Sequence, residues 1–166
     1  MKFEADLVKA HYESPLGPIV LAASVRGLAG LWFDGQRHQP AHHDWQEAGD
    51  DHPVLTQTGR ALDDYFAGRT RTFEMPLDLA RGTPFQQSVW RALQAIPAGS
   101  TQSYRMLAEK LGSPGGVRAV GAAVGKNPIS IIVPCHRVLG HDGSLTGYAG
   151  GLPRKTALLA LEGVLL

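Results

Sequence analysis

The run Val133-Pro134-Cys135-His136-Arg137-Val138 brings the only thiol of this 166-residue chain to a rigid bend and follows it at once with a base and a permanent cation. The thiolate is the nucleophilic form, and a free cysteine with a pKa of about 8.5 holds little of it near neutrality. A neighbouring imidazole and a positive charge raise that fraction. On an extended strand, adjacent side chains point to opposite faces. Direct contact between Cys135 and His136 therefore requires a sharp turn, with a bridging water as the alternative. The residues alone leave two readings open, a reactive nucleophile and a buried structural thiol. A single cysteine excludes an intramolecular disulfide and any multi-cysteine zinc site.

Two other segments invite attention. Residues 116–125, Gly-Val-Arg-Ala-Val-Gly-Ala-Ala-Val-Gly, read as a helix with three Gly and three Ala. Interior Gly costs a helix about 1 kcal/mol relative to Ala. Such a bare face allows close approach to a groove or to another helix, and only Arg118 projects far. The second segment, Thr146-Gly147-Tyr148-Ala149-Gly150-Gly151, carries one aromatic ring in a Gly-rich loop. It suits a wall for a planar ligand or a plain turn, and it lacks the spacing of a phosphate-binding loop.

The elements that must position these residues are legible in outline. Val8, Ala10 and Tyr12 alternate, Ser14-Pro15-Leu16-Gly17 turns, and apolar runs follow at 19–21 and 28–33. This predicts a small antiparallel meander. Residues 34–52 are polar, and their His38, His42, His43 and His52 read as a solvated loop rather than a metal site. Pro53 opens a helix over 53–67 with Leu55, Thr58, Leu62, Tyr65 and Phe66 on one face, and Gly68 stops it. Phe73 to Leu79 reads as a further strand, and Arg81-Gly82 as a lobe boundary. Thr83-Pro84 caps a helix whose stripe is Phe85, Val89, Ala92 and Ile96. Ser103 caps a helix over 104–111, and the tight connection 113–116 leads into the helix 116–125. The pair suggests a helix-turn-helix. Residues 129–133 read as a short β run, and a last helix spans 153–162. The fold class is α/β in the α+β sense. Residues 1–80 form a lobe with a small antiparallel sheet and a helix, and residues 81–166 form a mostly helical lobe.

Composition narrows the function. The chain is 43% hydrophobic and 19% charged, as in ordinary globular proteins. No apolar run reaches the roughly 18 residues that span a bilayer. The N-terminus has no apolar leader core, so a cytoplasmic protein is expected. A net charge of +1 argues against a nucleic-acid partner, but its distribution does not. Residues 1–80 carry 7 basic and 12 acidic side chains, a net of −5, whereas residues 81–166 carry 9 and 3, a net of +6. The basic half suits phosphates, or the asymmetry is an ordinary dipole between two lobes.

Taken in order, Asn127-Pro128, Pro134-Cys135-His136-Arg137-Val138, Gly147-Tyr148-Ala149-Gly150-Gly151 and Leu161-Glu162-Gly163 closely resemble the O6-alkylguanine-DNA alkyltransferase family. The likeness continues upstream through residues 82–87, Trp90, Ile96-Pro97, Ser103-Tyr104 and Arg118-Ala119-Val120-Gly121. Asp64-Tyr65-Phe66 and residues 14–18 extend it to the N-terminal lobe.

The resemblance implies a stoichiometric DNA repair reaction. An alkyl group passes from O6 of guanine to Cys135, once and irreversibly. Glu162, His136 and a water would withdraw the thiol proton, and Asn127 would brace the turn. Tyr104 would crowd a phosphate to rotate the nucleotide outward and donate a proton to the departing guanine. Arg118 would fill the vacated place in the stack, with Ser103, Ala119, Gly121 and Gln86 also meeting DNA. The backbone carbonyls of Val138 and Cys135 would hold the guanine amino group, and Tyr148 would wall the pocket. Some relatives have Ser where this chain has Ala149, so a backbone N–H would serve O6 instead. The implied partner is double-stranded DNA met from the minor groove by a monomer, with no cofactor, no metal and no membrane. O4-alkylthymine activity and cooperativity along DNA are left open. The rivals are a damage sensor without transfer, a cysteine hydrolase, and a regulator with a major-groove helix. Cys135 argues against the first, Tyr104 and Arg118 against the second, and the poverty of base-reading side chains against the third.

Overall fold

The computed structural model describes residue 3 and residues 6–164. The expectation about an N-terminal leader falls partly on residues 1, 2, 4 and 5, which lie outside them. The meander is present as β1 (Val8–Ser14), β2 (Gly17–Ser24) and β3 (Gly27–Phe33), paired antiparallel. A two-residue strand β4 (Gln46–Glu47) adds itself parallel to β1, giving the order β3-β2-β1-β4. The inner face carries Ile19, Leu21, Leu31 and Phe33 into the main core, whereas Ala22, Ala29, Trp32 and Trp45 form a second cluster behind the sheet. This β3 is buried on both faces, which explains its nearly continuous apolar run.

Helix α1 (Pro53–Phe66) follows, with the imidazole of His52 accepting from the Leu55 amide and Leu55, Thr58, Leu62 and Tyr65 buried. The expected strand over 73–79 does not form. The chain makes only a single bridge from Leu77 to Leu28, flanked by Leu28 N to Pro76 O and Asp78 N to Leu28 O. Pro76 has no N–H to donate, which limits a ladder there.

Thr83 and Gln86 close a reciprocal capping box on α2 (Pro84–Gln94). The buried face of α2 is Val89, Trp90 and Leu93, so the stripe is rotated from the expected one and Phe85 is exposed. Trp90 sets this rotation. Its indole N–H donates to Ala123 O at 2.8 Å, and its ring lies over Gly82, where a Cβ would come within 2.2 Å of it. Next come β5 (Gln102–Ser103), α3 (Tyr104–Lys110) capped by Ser103, and α4 (Val117–Gly125). The helices α3 and α4 make the expected helix-turn-helix. A single 3-10 turn, Cys135–Arg137, leads to β6 (Val138–Leu139), and α5 (Leu152–Leu161) ends the fold with Glu162 at its C-cap. Strand β5 pairs parallel with β6, which ties the start of the Tyr104 helix to the end of the cysteine turn.

The expected β run at 129–133 is instead a tight turn. Ile129 bridges to Leu31 of β3, Val133 N donates to Ile129 O, and Ile131 takes a positive φ of 71°. A β-branched residue rarely adopts that conformation, which costs of order 1–3 kcal/mol and persists where the surroundings dictate it. The edge of β3 supplies those surroundings, with Leu31 N donating to Pro128 O and Ser130 N to Leu31 O. No helix among the described residues is long and apolar enough to cross a membrane.

Candidate active site

Cys135 opens the 3-10 turn that follows Pro134. Asn127 lies beneath it, donating from Nδ2 to Val133 O at 2.7 Å and accepting from Ile129 N at 2.9 Å. Cys135 is only 5% exposed yet lies in the wall of a cavity of about 340 Å³. Tyr104, Gly121, Val124, Tyr148 and Ala149 also line that cavity, together with the exposed Arg37, His38 and Lys126. Its volume falls in the range of small-ligand pockets. Burial pushes the thiol pKa up, against the lowering pull of the Asn127 side chain and the Lys155 ammonium. Burial therefore favours the protonated thiol over the thiolate.

The 3-10 turn swings His136 into a fully buried site, where Nε2 meets Glu162 Oε2 at 2.8 Å. Glu162 also accepts from Arg137 Nε at 2.7 Å, Arg137 Nη2 at 3.0 Å and the Tyr65 hydroxyl at 2.6 Å. Burial alone would raise the Glu162 pKa, but these donors bring it down to about 2. The carboxylate is therefore charged and must accept, which places the imidazole proton on Nε2. The Nδ1 atom is buried and has no hydrogen-bond partner among the described residues. Burial pushes the His136 pKa down, against Glu162, so the ring is neutral and Nδ1 is free to take a proton.

A second buried cation organises the opposite wall. Lys155 of α5 sends Nζ to Val138 O at 2.6 Å, Thr146 O at 2.9 Å and Gly147 O at 3.2 Å. Burial brings its pKa down to about 8. The ammonium pins the Gly-rich loop to β6. The Tyr104 hydroxyl reaches Thr146 O at 3.4 Å, and Ala149 O accepts from Arg37 N at 3.0 Å. Burial raises the Tyr104 pKa, so the phenol keeps its proton.

The structure thus brings Cys135, Tyr104, Gly121, Tyr148 and Ala149 onto one cavity and joins His136 to Glu162 behind it. The Val138 carbonyl faces Lys155. Arg118 and Ala119 lie on the exposed face of α4, and Gln86 and Ser103 serve as helix caps at the same time. Sequence reasoning missed Val124 and Lys126 in the cavity wall, and four further contributors to the surroundings of the site. Arg37 and His38 belong to a segment read as a solvated loop. Tyr65 was placed only on an apolar face, and Lys155 follows a proline and an arginine in a helix start that looks like surface. Only the Asp64-Tyr65-Phe66 match held a signal for any of them. Among the described residues, no three of His, Cys, Asp and Glu gather into a metal-binding group.

Comparison with known proteins adds a second kind of observation. Residues 84–164 match the model of the 6-O-methylguanine DNA methyltransferase DNA-binding domain, and residues 7–79 that of the ribonuclease-like domain of the same proteins. The methylated-DNA–protein-cysteine methyltransferase of Mycobacterium tuberculosis H37Rv is 48% identical over 155 residues, covering 92% of each chain. That of Salmonella typhimurium is 42% identical over 167 residues, 96% of this chain and 98% of the relative. The chain belongs to the 6-O-methylguanine DNA methyltransferase family. The fold agrees. The crystal structure of the Mycobacterium tuberculosis O6-methylguanine methyltransferase superposes with a TM-score of 0.85 at 46% identity, over 94% of this chain and 92% of that one. The Mycobacterium tuberculosis OGT complex with DNA gives 0.83 at 46% identity, over 94% and 91%. As a member of this methyltransferase family, the chain is a DNA-binding repair enzyme that moves methyl groups from damaged DNA to a protein cysteine.

Proposed function

We propose that Cys135 is the acceptor and that the methyl group comes from O6 of a guanine rotated out of the duplex through the minor groove. The observation that carries this reading is a thiol in the wall of a ring-lined cavity, backed by a buried base whose free nitrogen is Nδ1. His136 takes the thiol proton through a water, and Glu162 stabilises the imidazolium. Sulfur attacks the methyl carbon, the S–C bond forms, and the C–O6 bond breaks with its electrons returning to the guanine. Tyr104, its phenol still protonated, supplies the proton that neutralises the leaving base. Asn127 holds the turn, Tyr148 and Ala149 wall the base, and the Val138 and Cys135 carbonyls accept from its amino group. The thioether is stable, so each molecule acts once.

Extrusion costs a few kcal/mol, less for a damaged pair. The exposed Arg118 on a small-residue helix face suits insertion into the stack from a narrow groove. Ala119 and Gly121 let the helix backbone approach, and Ser103 and Gln86 stand at helix N-termini, where amides favour phosphates. Degenerate minor-groove contacts are enough for repair at any sequence. The lobe boundary falls between residues 80 and 81, and the protein acts as a monomer. Incubation with O6-methylguanine duplex should add one methyl, about 14 Da, to the Cys135 peptide and stop at one equivalent. Repeated turnover, or an unshifted mass, would falsify the assignment.

A further inference from the structure

The Tyr65 hydroxyl is the one polar group of α1 that reaches into the network behind the sulfur. It is 1% exposed, lies 97 residues from Glu162 in sequence, and sits 2.6 Å from Glu162 Oε2. That same oxygen receives the imidazole of His136 at 2.8 Å. Two uncharged donors, Tyr65 and His136, therefore share Glu162 Oε2 with Arg137 Nη2, while Arg137 Nε holds Oε1.

We infer that Tyr65 is a positioning residue of the N-terminal lobe that tempers Glu162, so that His136 rests neutral with Nδ1 open to the thiol proton. The inference rests on the relay role given above to His136 and Glu162. An undamped carboxylate hydrogen-bonded to a buried imidazole favours the imidazolium, and an imidazolium at rest accepts nothing. A donor on the shared oxygen withdraws part of that pull and keeps the carboxylate from rotating away. The charged and titratable groups around His136 are Glu162 and Lys155 from the α5 region, Arg137 and Cys135 of its own turn, and Tyr65 from α1, with Arg71 beyond Tyr65. Of these, only Tyr65 donates to Glu162 without adding charge. Its removal therefore changes the relay without creating an unpaired ion.

Tyr65→Phe keeps the ring and deletes the donor. An NMR titration of the His136 ring should show its protonation moved up by about 0.5–1 pH unit. The acid limb of the single-turnover rate on free O6-benzylguanine should move up by the same amount, while duplex affinity stays unchanged. Tyr65→Leu serves as a packing control. It should lower thermal stability further and give the same His136 shift. An unmoved His136 titration in a folded Tyr65→Phe protein would overturn the inference and reduce Tyr65 to packing. If His136 shifts but the transfer rate does not follow, Tyr65 tempers Glu162 and it is the relay assignment that fails.

Discussion

Behind Cys135, four side chains from three separate stretches of chain, Tyr65, His136, Arg137 and Glu162, are locked by contacts of 2.6 to 3.0 Å with almost no exposure. In front of it lies a cavity whose far wall is a Gly-rich loop held at a few carbonyls by Lys155 and Arg37. The rear is dense, charged and single-valued. The front is aromatic, polar at its backbone and lightly fastened. On the proposed mechanism, the contrast means that proton handling and base handling are built separately, each from the materials suited to it. A low dielectric magnifies the carboxylate's effect on the imidazole. A loop rich in glycine suits the entry of the planar base proposed above without moving the sulfur.

The comparison breaks most completely at the sulfur itself. Cys135→Ala should abolish transfer, measured as loss of the mass shift, and leave duplex binding in place. A surviving shift would move the acceptor elsewhere. Next comes the rear wall. Glu162→Gln removes the only anion paired with buried Arg137 among the described residues, so we expect a destabilisation of about 3–5 kcal/mol in urea unfolding. The transfer rate should fall at least 10²-fold or so with much smaller effect on DNA affinity. Equal losses in rate and affinity would erase the division between rear and front.

The front is tested through Lys155. Lys155→Met should slow transfer by roughly tenfold, by freeing the loop and by removing the ammonium that pulls the thiol pKa down. Wild type should lose transfer efficiency above about pH 8, where Lys155 gives up its proton, and the variant should lack that decline. The stability signs separate the two walls. Glu162, held down at about 2, contributes stability that is complete above the ordinary carboxylate range and is lost as pH falls toward 2. Lys155 has the opposite sense. Between about 8 and 10.5 the unfolded chain binds more protons than the folded one, so this group makes the fold more stable as pH rises while the loop loosens. Chemical denaturation across both windows would check the two slopes. The smallest effect belongs to α4, the helix proposed to meet DNA. Arg118→Ala should weaken repair in duplex by about tenfold and leave transfer from free O6-benzylguanine unchanged. Parallel losses on both substrates would show that Arg118 serves chemistry rather than extrusion.

Much of the front was legible, because its residues sit in short contiguous motifs. The Cys135-His136-Arg137 run, the single ring of the Gly-rich loop and the Ser103 cap of α3 stand out by local chemistry, whereas Tyr104 and Ala149 were marked only by the family resemblance. The three-stranded meander was equally legible, since alternation and turn residues specify it. The rear was legible only in part. His136 and Arg137 follow the cysteine, but nothing local says that Arg137 turns inward to a carboxylate rather than outward to phosphate. Tyr65 and Lys155 carried no sign of their buried partners, because those partners lie on other elements. The 129–133 turn misled for a specific reason. Consecutive Ile and Val residues favour extended backbone by themselves. Here tertiary pairing with Leu31 overrides that preference and forces Ile131 into the left-handed region.

That pairing has a further consequence. In the order β3-β2-β1-β4, the outer margin of β3 would otherwise offer free amides and carbonyls along an apolar strand. Pro128, Ser130, Pro76 and Asp78 occupy several of them. An N-terminal fragment cut loose near residue 80 would keep Pro76 and Asp78 on Leu28 but lose Pro128 and Ser130 from Leu31, which bares that stretch of an apolar edge and should favour self-association. The segment that aims the sulfur is thus also a seal, and the two halves of this protein are poor candidates for separate expression.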